Sequence, residues 1–214
     1  VVKPATGEQG KGISVGVEEE NELQAAVSKA QAFSERVILE SYHKGQDLRV
    51  VVINYRVVAA AIRRPATIIG DGKHDAKTLI EKQSRRRQAA TNNESSIPID
   101  QETVQCLAKR NASLDTVIPS GDVVTVRKTA NLHTGGTIHD VTDILHPTLV
   151  ETAKKAAKQL ETPVVGLDFI IDAPDKPEHI IIEANERVGL ANHEPHPTAQ
   201  RFVDLLFPLS AIGT

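Results

Sequence analysis

The reading of the chain turns on Val164-Val165-Gly166-Leu167-Asp168-Phe169-Ile170-Ile171, the turn Ala173-Pro174-Asp175-Lys176-Pro177, and the return Ile180-Ile181-Ile182-Glu183-Ala184-Asn185. Two β-rich apolar runs around a turn rich in Pro and Asp predict an antiparallel hairpin. With the turn centred between Asp175 and Lys176, Asp168 stands opposite Glu183. Glu183 and Asn185 are two apart, so their side chains leave one face of the strand. Three oxygen-bearing side chains then meet on one face of otherwise apolar strands. Carboxylates are seldom buried unless paired or bound to a metal. Hard oxygen donors without His or Cys favour Mg²⁺ or Mn²⁺. A solvated sheet face could carry the same residues, but Asp168 interrupts an apolar run, and that favours a metal site.

Upstream, Val1-Val2-Lys3-Pro4 predicts a strand stopped by proline, followed by a glycine-rich turn, Gly7-Glu8-Gln9-Gly10-Lys11-Gly12. A second short strand is expected at 13–17, then a helix over 19–33 with Leu23, Val27 and Ala30 at helical spacing. Residues 36–40 read as a strand and 41–46 as a polar connector. Leu48 to Ile53 and Val57 to Ile62 read as a hairpin joined through Asn54-Tyr55. Residues 65–122 differ in texture, with polar helices predicted at 75–88 and 101–109, and read as an insertion on a core. The core is expected to resume with a strand at 123–128 and a Gly135-Gly136 loop. A helix opened by Pro147 follows, then the hairpin, and a last helix over 199–206.

Composition narrows the classes. With 40% hydrophobic and 25% charged residues, the 214-residue chain can bury a core and is not a disordered segment. No apolar run approaches the ~18 residues of a membrane helix. A net charge of -3 gives no basic footprint for nucleic acid. The lone Cys106 excludes an internal disulfide and suits a reducing cytoplasm. The absence of Met and the opening Val-Val-Lys-Pro predict a piece of a longer protein. Its eight histidines do not cluster at metal spacing, and no Gly-x-Ser-x-Gly nucleophile motif occurs.

Three further constellations carry chemistry. Gly7, Gly10 and Gly12 would let backbone N–H groups approach phosphate oxygens, with charge from Lys3 or Lys11. The spacing fits neither the Walker nor the dinucleotide fingerprint, so a structural turn is the simpler reading. Glu40-Ser41-Tyr42-His43, leading to Asp47, offers backbone groups for a purine edge and a carboxylate for ribose; spacing alone reads as an ordinary connection. Arg127-Lys128, at a strand end before the loop Thr129 to Gly136, suits anion binding.

Taken in order, these pieces resemble the ATP-grasp superfamily of carboxylate-amine ligases. The resemblance is carried by Val2-Lys3-Pro4 with its glycine loop, Leu39-Glu40 followed by Asp47, Gly166-Leu167-Asp168-Phe169, and Ile182-Glu183-Ala184-Asn185-Glu186. Asn131-Leu132-His133-Thr134-Gly135-Gly136 and Asp140-Val141-Thr142-Asp143 resemble the cyanophycin synthetase-like branch. Within it, residues 80–88 and 189–195 most resemble the N-acetylglutaminylglutamine synthetase family, makers of an osmoprotective dipeptide.

The resemblance implies an α/β (α+β) ATP-grasp fold, with mixed or antiparallel sheets and flanking helices. Residues 1–43 would form the central lid subdomain, and 44–214 the catalytic subdomain with its insertion at about 65–122. The family's N-terminal subdomain and first ATP lysine would precede residue 1.

Roles follow from the same resemblance. Lys3 would hold ATP phosphates beneath a closing loop containing Gly7, Gln9, Gly10 and Gly12. Glu40, Ser41, Tyr42 and His43 would meet adenine, and Asp47 the ribose. Asp168, Glu183 and Asn185 would hold two Mg²⁺ (or Mn²⁺). Either Arg127 or Lys128 would face the transferred phosphoryl group. Amino-acid or acyl-amino-acid substrates would contact 187–196 and the insertion, while self-assembly stays open. Val188 departs from the proline many members carry there. Cyanophycin synthetase-like and glutathione synthetase-like ligases, or a non-catalytic ATP-binding module, are the alternatives.

Overall fold

The computed structural model describes residues 1–6, 11–189 and 196–208. In chain order the elements are β1 (Val2–Pro4), α1 (Glu20–Gln31), β2 (Val37–Leu39), β3 (Gln46–Ile53), β4 (Arg56–Arg64), β5 (Thr67–Ile69), α2 (Ala76–Ala90) and α3 (Gln101–Ala108). They continue with β6 (Val123–Thr125), β7 (Thr137–Asp140), α4 (Pro147–Gln159), β8 (Val164–Ile171), β9 (His179–Asn185) and α5 (Thr198–Leu206). The chain divides into two compact units. One comprises Val1–His43 with Pro65–Gly136, and the other Lys44–Arg64 with Thr137–Thr214.

The second unit is built on a five-stranded antiparallel sheet in the order β7-β4-β3-β8-β9. β3 and β4 are joined by Asn54 and Tyr55, both at positive φ (52° and 58°). That left-handed pair makes a two-residue turn whose twist matches the strands it joins. Alternation then sorts the faces. Leu48, Val50 and Val52 of β3 and Leu167, Phe169 and Ile171 of β8 pack against Leu149, Ala153 and Ala157 of α4. Proline at the start of α4 supplies a preset φ where no N–H partner is needed. On the opposite face, Val51, Ile53 and Ala59 pack with Val188 and with Phe202 and Leu205 of α5. The same face also carries Asp47, Arg49, Arg63, Asp140, Asp168 and Glu183.

In the first unit, β1 and β2 pair antiparallel, and Val2 packs on Ala26 and Ala30 of α1. β5 and β6 pair separately, around a core of Ile68, Ile80, Leu107, Val124 and Val126. Asp75 and Asp100 cap α2 and α3, accepting from the N–H groups of Thr78 (2.7 Å) and Thr103 (3.1 Å).

Three expectations change. Residues 13–17 form only an isolated bridge, Ser14 to Val2, and Gly16 at φ 65° turns the chain out of extended geometry. Val123–Thr125 pairs with β5 rather than resuming the large sheet. The sheet edge beside β4 is instead β7, a strand the sequence did not announce. Among the described residues, no helix is long and apolar enough to cross a membrane.

Candidate functional site

The charged face of the five-stranded sheet is organised by register. Arg49 pairs with Asp168, Asp168 with Glu183, Arg49 with Ala61, and Ala61 with Asp140, giving one lateral row across all five strands. The expected Asp168–Glu183 pairing is therefore present. A bulge between Asp168 and Phe169 takes up Ile182. Asn185 pairs with Gly166 one step along, and its amide donates to Asp168 Oδ2 at 3.4 Å.

Asp168 is only 8% exposed, and the sequence reading missed what surrounds it. Arg49 Nε lies 3.2 Å and Arg63 Nη2 3.0 Å from the same oxygen, Oδ1. Arg63 also donates to Asp47 Oδ1 from Nη2 at 2.7 Å and from Nε at 3.0 Å. Asp47, Arg63, Asp168 and Arg49 thus form a chain of alternating charge on one sheet face. A Cβ at Gly166 would come within 2.6 Å of Arg49 Nη1, so a missing side chain is what lets the guanidinium lie over β8. Among the described residues, the buried Arg49 Nη1 makes no protein hydrogen bond, a donor kept in reserve beside the carboxylates.

Burial raises Asp168 above the usual carboxylate range, although Arg63 and Arg49 pull the other way. Burial lowers Arg49, opposed by the attraction of Asp168. Arg63 ends raised, because Asp168 and Asp47 outweigh its own burial. The ensemble is a desolvated carboxylate between two fixed guanidinium groups, with the exposed carboxylate of Glu183 next in the row. Among the described residues no three His, Cys, Asp or Glu side chains converge as a self-sufficient metal cluster. Two carboxylates and an amide oxygen nevertheless suit a hard divalent cation that completes its shell from water or phosphate oxygens. At the far end of the row, Asp140 Oδ1 lies 3.0 Å from His196 Nε2. Asp140 also accepts from the Thr142 hydroxyl at 2.7 Å. Burial alone would raise Asp140, yet these Thr142 and His196 hydrogen bonds hold it below its ordinary value.

The remaining candidates lie in the first unit. Lys3 Nζ pairs with Glu40 Oε1 at 2.7 Å. Glu40, Ser41, Tyr42 and His43 form an exposed, irregular connector. Glu40 and Leu39 border a groove of about 420 Å³ that also touches Val2, Val17 and Leu23. Gly12 adopts φ 78°, while Gly7, Gln9 and Gly10 lie outside the described residues. Arg127 is buried, with Nη1 2.6 Å from Asp100 and Nη2 2.8 Å from Glu102. Its charge is committed to closing that corner, whereas Lys128 is exposed. The cations found beside Asp168 are Arg49 and Arg63. Alternation did put Asp47 and Arg49 on one face of β3, but only the long-range pairing of β3 with β8 brings Arg49 to Asp168.

This sheet, hairpin and helical arrangement is the fold of the ATP-grasp ligases. The chain covers 97% of itself and 30% of the bifunctional glutathione synthetase of Pasteurella multocida, with a TM-score of 0.66 and 23% identity. In sequence it is 33% identical over 226 aligned positions to a cyanophycin synthetase of a Nostoc species, matching 100% of this chain and 25% of that protein. It is 28% identical to a bifunctional glutathione biosynthesis protein of Listeria monocytogenes, over 97% of this chain and 29% of that one. Its homologues are thus ligases of the ATP-grasp superfamily. The chain spans about a quarter of the length of the cyanophycin synthetases it matches. No protein-family profile matches it.

Proposed function

We propose that this chain carries the nucleotide and metal site of an ATP-dependent ligase that joins a carboxylate to an amine. The observation that carries the reading is the row Arg49, Asp168 and Glu183, with Asn185 beside it. A carboxylate is a poor electrophile, so it must first be activated. The γ-phosphoryl group of ATP passes to the substrate carboxylate oxygen and ADP leaves. The amine nitrogen then attacks the acylphosphate carbonyl, the amide bond forms, and phosphate departs as the amine proton goes to solvent. A bound divalent cation would neutralise charge on the phosphates.

The chain's own residues do the positioning. Asp168, Glu183 and Asn185 would hold the cation. Arg49, with Nη1 unspent, and Arg63 offer fixed positive charge for an anionic oxygen, and Arg63 keeps Asp168 oriented. In the other unit, Lys3, the loop containing Gly7, Gln9, Gly10 and Gly12, and the connector from Glu40 to His43 would bind ATP phosphates and adenine. Asp47 would meet the ribose, exchanging its contact with Arg63. Lys128 rather than Arg127 remains a candidate for an anion contact.

The finer reading is an N-acetylglutaminylglutamine synthetase, supported by residues 80–88 and 189–195. A cyanophycin synthetase-like activity is the second reading, favoured by 33% identity across the whole chain. ADP release by the full-length protein separates them when acylated glutamine derivatives are compared with the other proteinogenic amino acids as donors and acceptors. Asp168→Asn or Glu183→Gln is expected to abolish release while the circular dichroism spectrum stays native. Unchanged turnover in both variants would reject the metal assignment, and turnover without any amino-acid dependence would reject ligation.

A further inference from the structure

Arg85, Arg86 and Arg87 stand together in the last turns of α2, and they do different things. Arg85 and Arg86 are exposed. Arg87 is half-buried, and its Nη2 donates to the carbonyl of Gly136, 49 residues further along the chain. Its Nε is buried as well and, among the described residues, makes no protein hydrogen bond. Burying part of a guanidinium with a donor unmatched is costly, so solvation does not account for where Arg87 sits. The contact with Gly136 does.

Gly136 closes a tight turn over 131–136, in which the Asn131 carbonyl accepts the N–H groups of Thr134 (3.1 Å) and Gly136 (2.9 Å). Three other carbonyls of the turn are taken by α2 and the segment after it. The Ser95 hydroxyl donates to Leu132, the Ser96 N–H to His133 at 3.1 Å, and Arg87 to Gly136. The gripping segment is itself tied down. Ser84 Oγ accepts the Ile97 N–H at 2.8 Å. Thr91 Oγ1 accepts the Ser95 N–H at 3.0 Å and donates to the Arg87 carbonyl at 2.7 Å. Gly135, at φ 88°, lies so close to Ile97 that a Cβ would collide with it. Ser95 and Ser96 thus hold the middle of the turn, and Arg87 holds its exit, from which the chain runs on to β7.

We propose that Arg87 is a positioning residue for the amino-acid substrate: by holding the Gly136 carbonyl it fixes the 131–136 turn, and with it the polar groups that the turn presents. Residues 80–88 would then bear on substrate choice through a backbone turn rather than by touching the substrate. The substrate half rests on the ligase reading, while the hold on the turn does not. The test compares Arg87→Met with Arg86→Met in the full-length protein, by steady-state kinetics and amide hydrogen exchange. Methionine keeps an apolar stem and removes the donor, and the Arg86 variant removes the same charge one residue earlier. Loss of a charge-assisted hydrogen bond should quicken exchange over 133–136 at least about tenfold in Arg87→Met. The KM for the amino-acid substrate should rise about tenfold, with kcat and the KM for ATP within about twofold. Arg86→Met should match wild type throughout. Unchanged exchange in Arg87→Met overturns the hold on the turn. Faster exchange with an unchanged KM overturns the positioning role. So does an equal loss in Arg86→Met, or a KM rise matched by an equal fall in kcat and a lower melting temperature. If Arg87→Met does not fold, Arg87→Lys, which keeps charge and stem but loses the planar fork, is scored by the same readouts and should show the same changes more weakly. Should the wild type release no ADP with any amino acid, the ligase reading fails and takes the substrate half with it, and the exchange comparison still decides the hold on the turn.

Discussion

Asp168 shows why a site residue can be half legible. Its position inside an apolar run and its register against Glu183 follow from one turn and a period of two. Its ion partners do not, because Arg49 and Arg63 reach it only through a strand pairing more than a hundred residues away in the chain. Gly166 tests the arrangement directly. Adding a methyl there meets only the far end of the Arg49 side chain, so Gly166→Ala should cost less than about 1 kcal/mol of stability. It should still displace the guanidinium and lower ATP-dependent turnover at least about tenfold, as removal of a preorganised donor does. Calorimetry and ADP release on the same preparation check both halves. A lower melting temperature with intact turnover would show that Arg49 is structural.

Arg127 is the opposite case, a cation whose sequence context resembled an anion site but whose charge is spent internally. Although burial pulls Asp100 upward, the Thr103 N–H and Arg127 hold its pKa below the ordinary carboxylate value. The folded value being depressed, its stabilisation is present above the unfolded pKa of about 3.9 and fades as pH falls through the folded one. Asp100→Asn should therefore lower the melting temperature at pH 7 and flatten its fall below about pH 4. Parallel acid limbs for variant and wild type would contradict the pairing.

Elements with a strong internal pattern were the readable ones. β3, β4 and β8 are β-prone apolar runs bounded by turn residues, and α4 carries its own start signal and a buried stripe of Leu149, Ala153 and Ala157. Leu149 is fully buried against the sheet, so Leu149→Ala should cost about 2–5 kcal/mol, read from urea unfolding of the folded chain. A loss below about 1 kcal/mol would mean that α4 does not seal that face. β7 went unread because Thr137–Asp140 is short and its pairing with β4 is long-range. Residues 13–17 misled because Ser14 meets Val2 of β1 at a single bridge and Gly16, at φ 65°, turns the chain before a ladder can extend.

Across the whole molecule, composition and motif order were enough for the class of fold, and physical limits account for what they left out. The two compact units interleave in sequence, Val1–His43 with Pro65–Gly136 and Lys44–Arg64 with Thr137–Thr214. A composition shift marks where the insertion begins near residue 65, but no local signal says that Val123–Thr125 still belongs with β5. Relatives at 33% and 28% identity, covering a quarter to under a third of their own length, carry the ligase chemistry to this chain as a proposal that awaits the full-length protein.

The most direct test is Mn²⁺ titration by electron paramagnetic resonance, using the full-length protein with ADP present. Wild type should remove Mn²⁺ from the free pool in a nucleotide-dependent way, and Asp168→Asn and Glu183→Gln should each release it while still folded. Equal Mn²⁺ uptake by all three proteins would contradict the account, because the cation would then be held somewhere other than on β8 and β9.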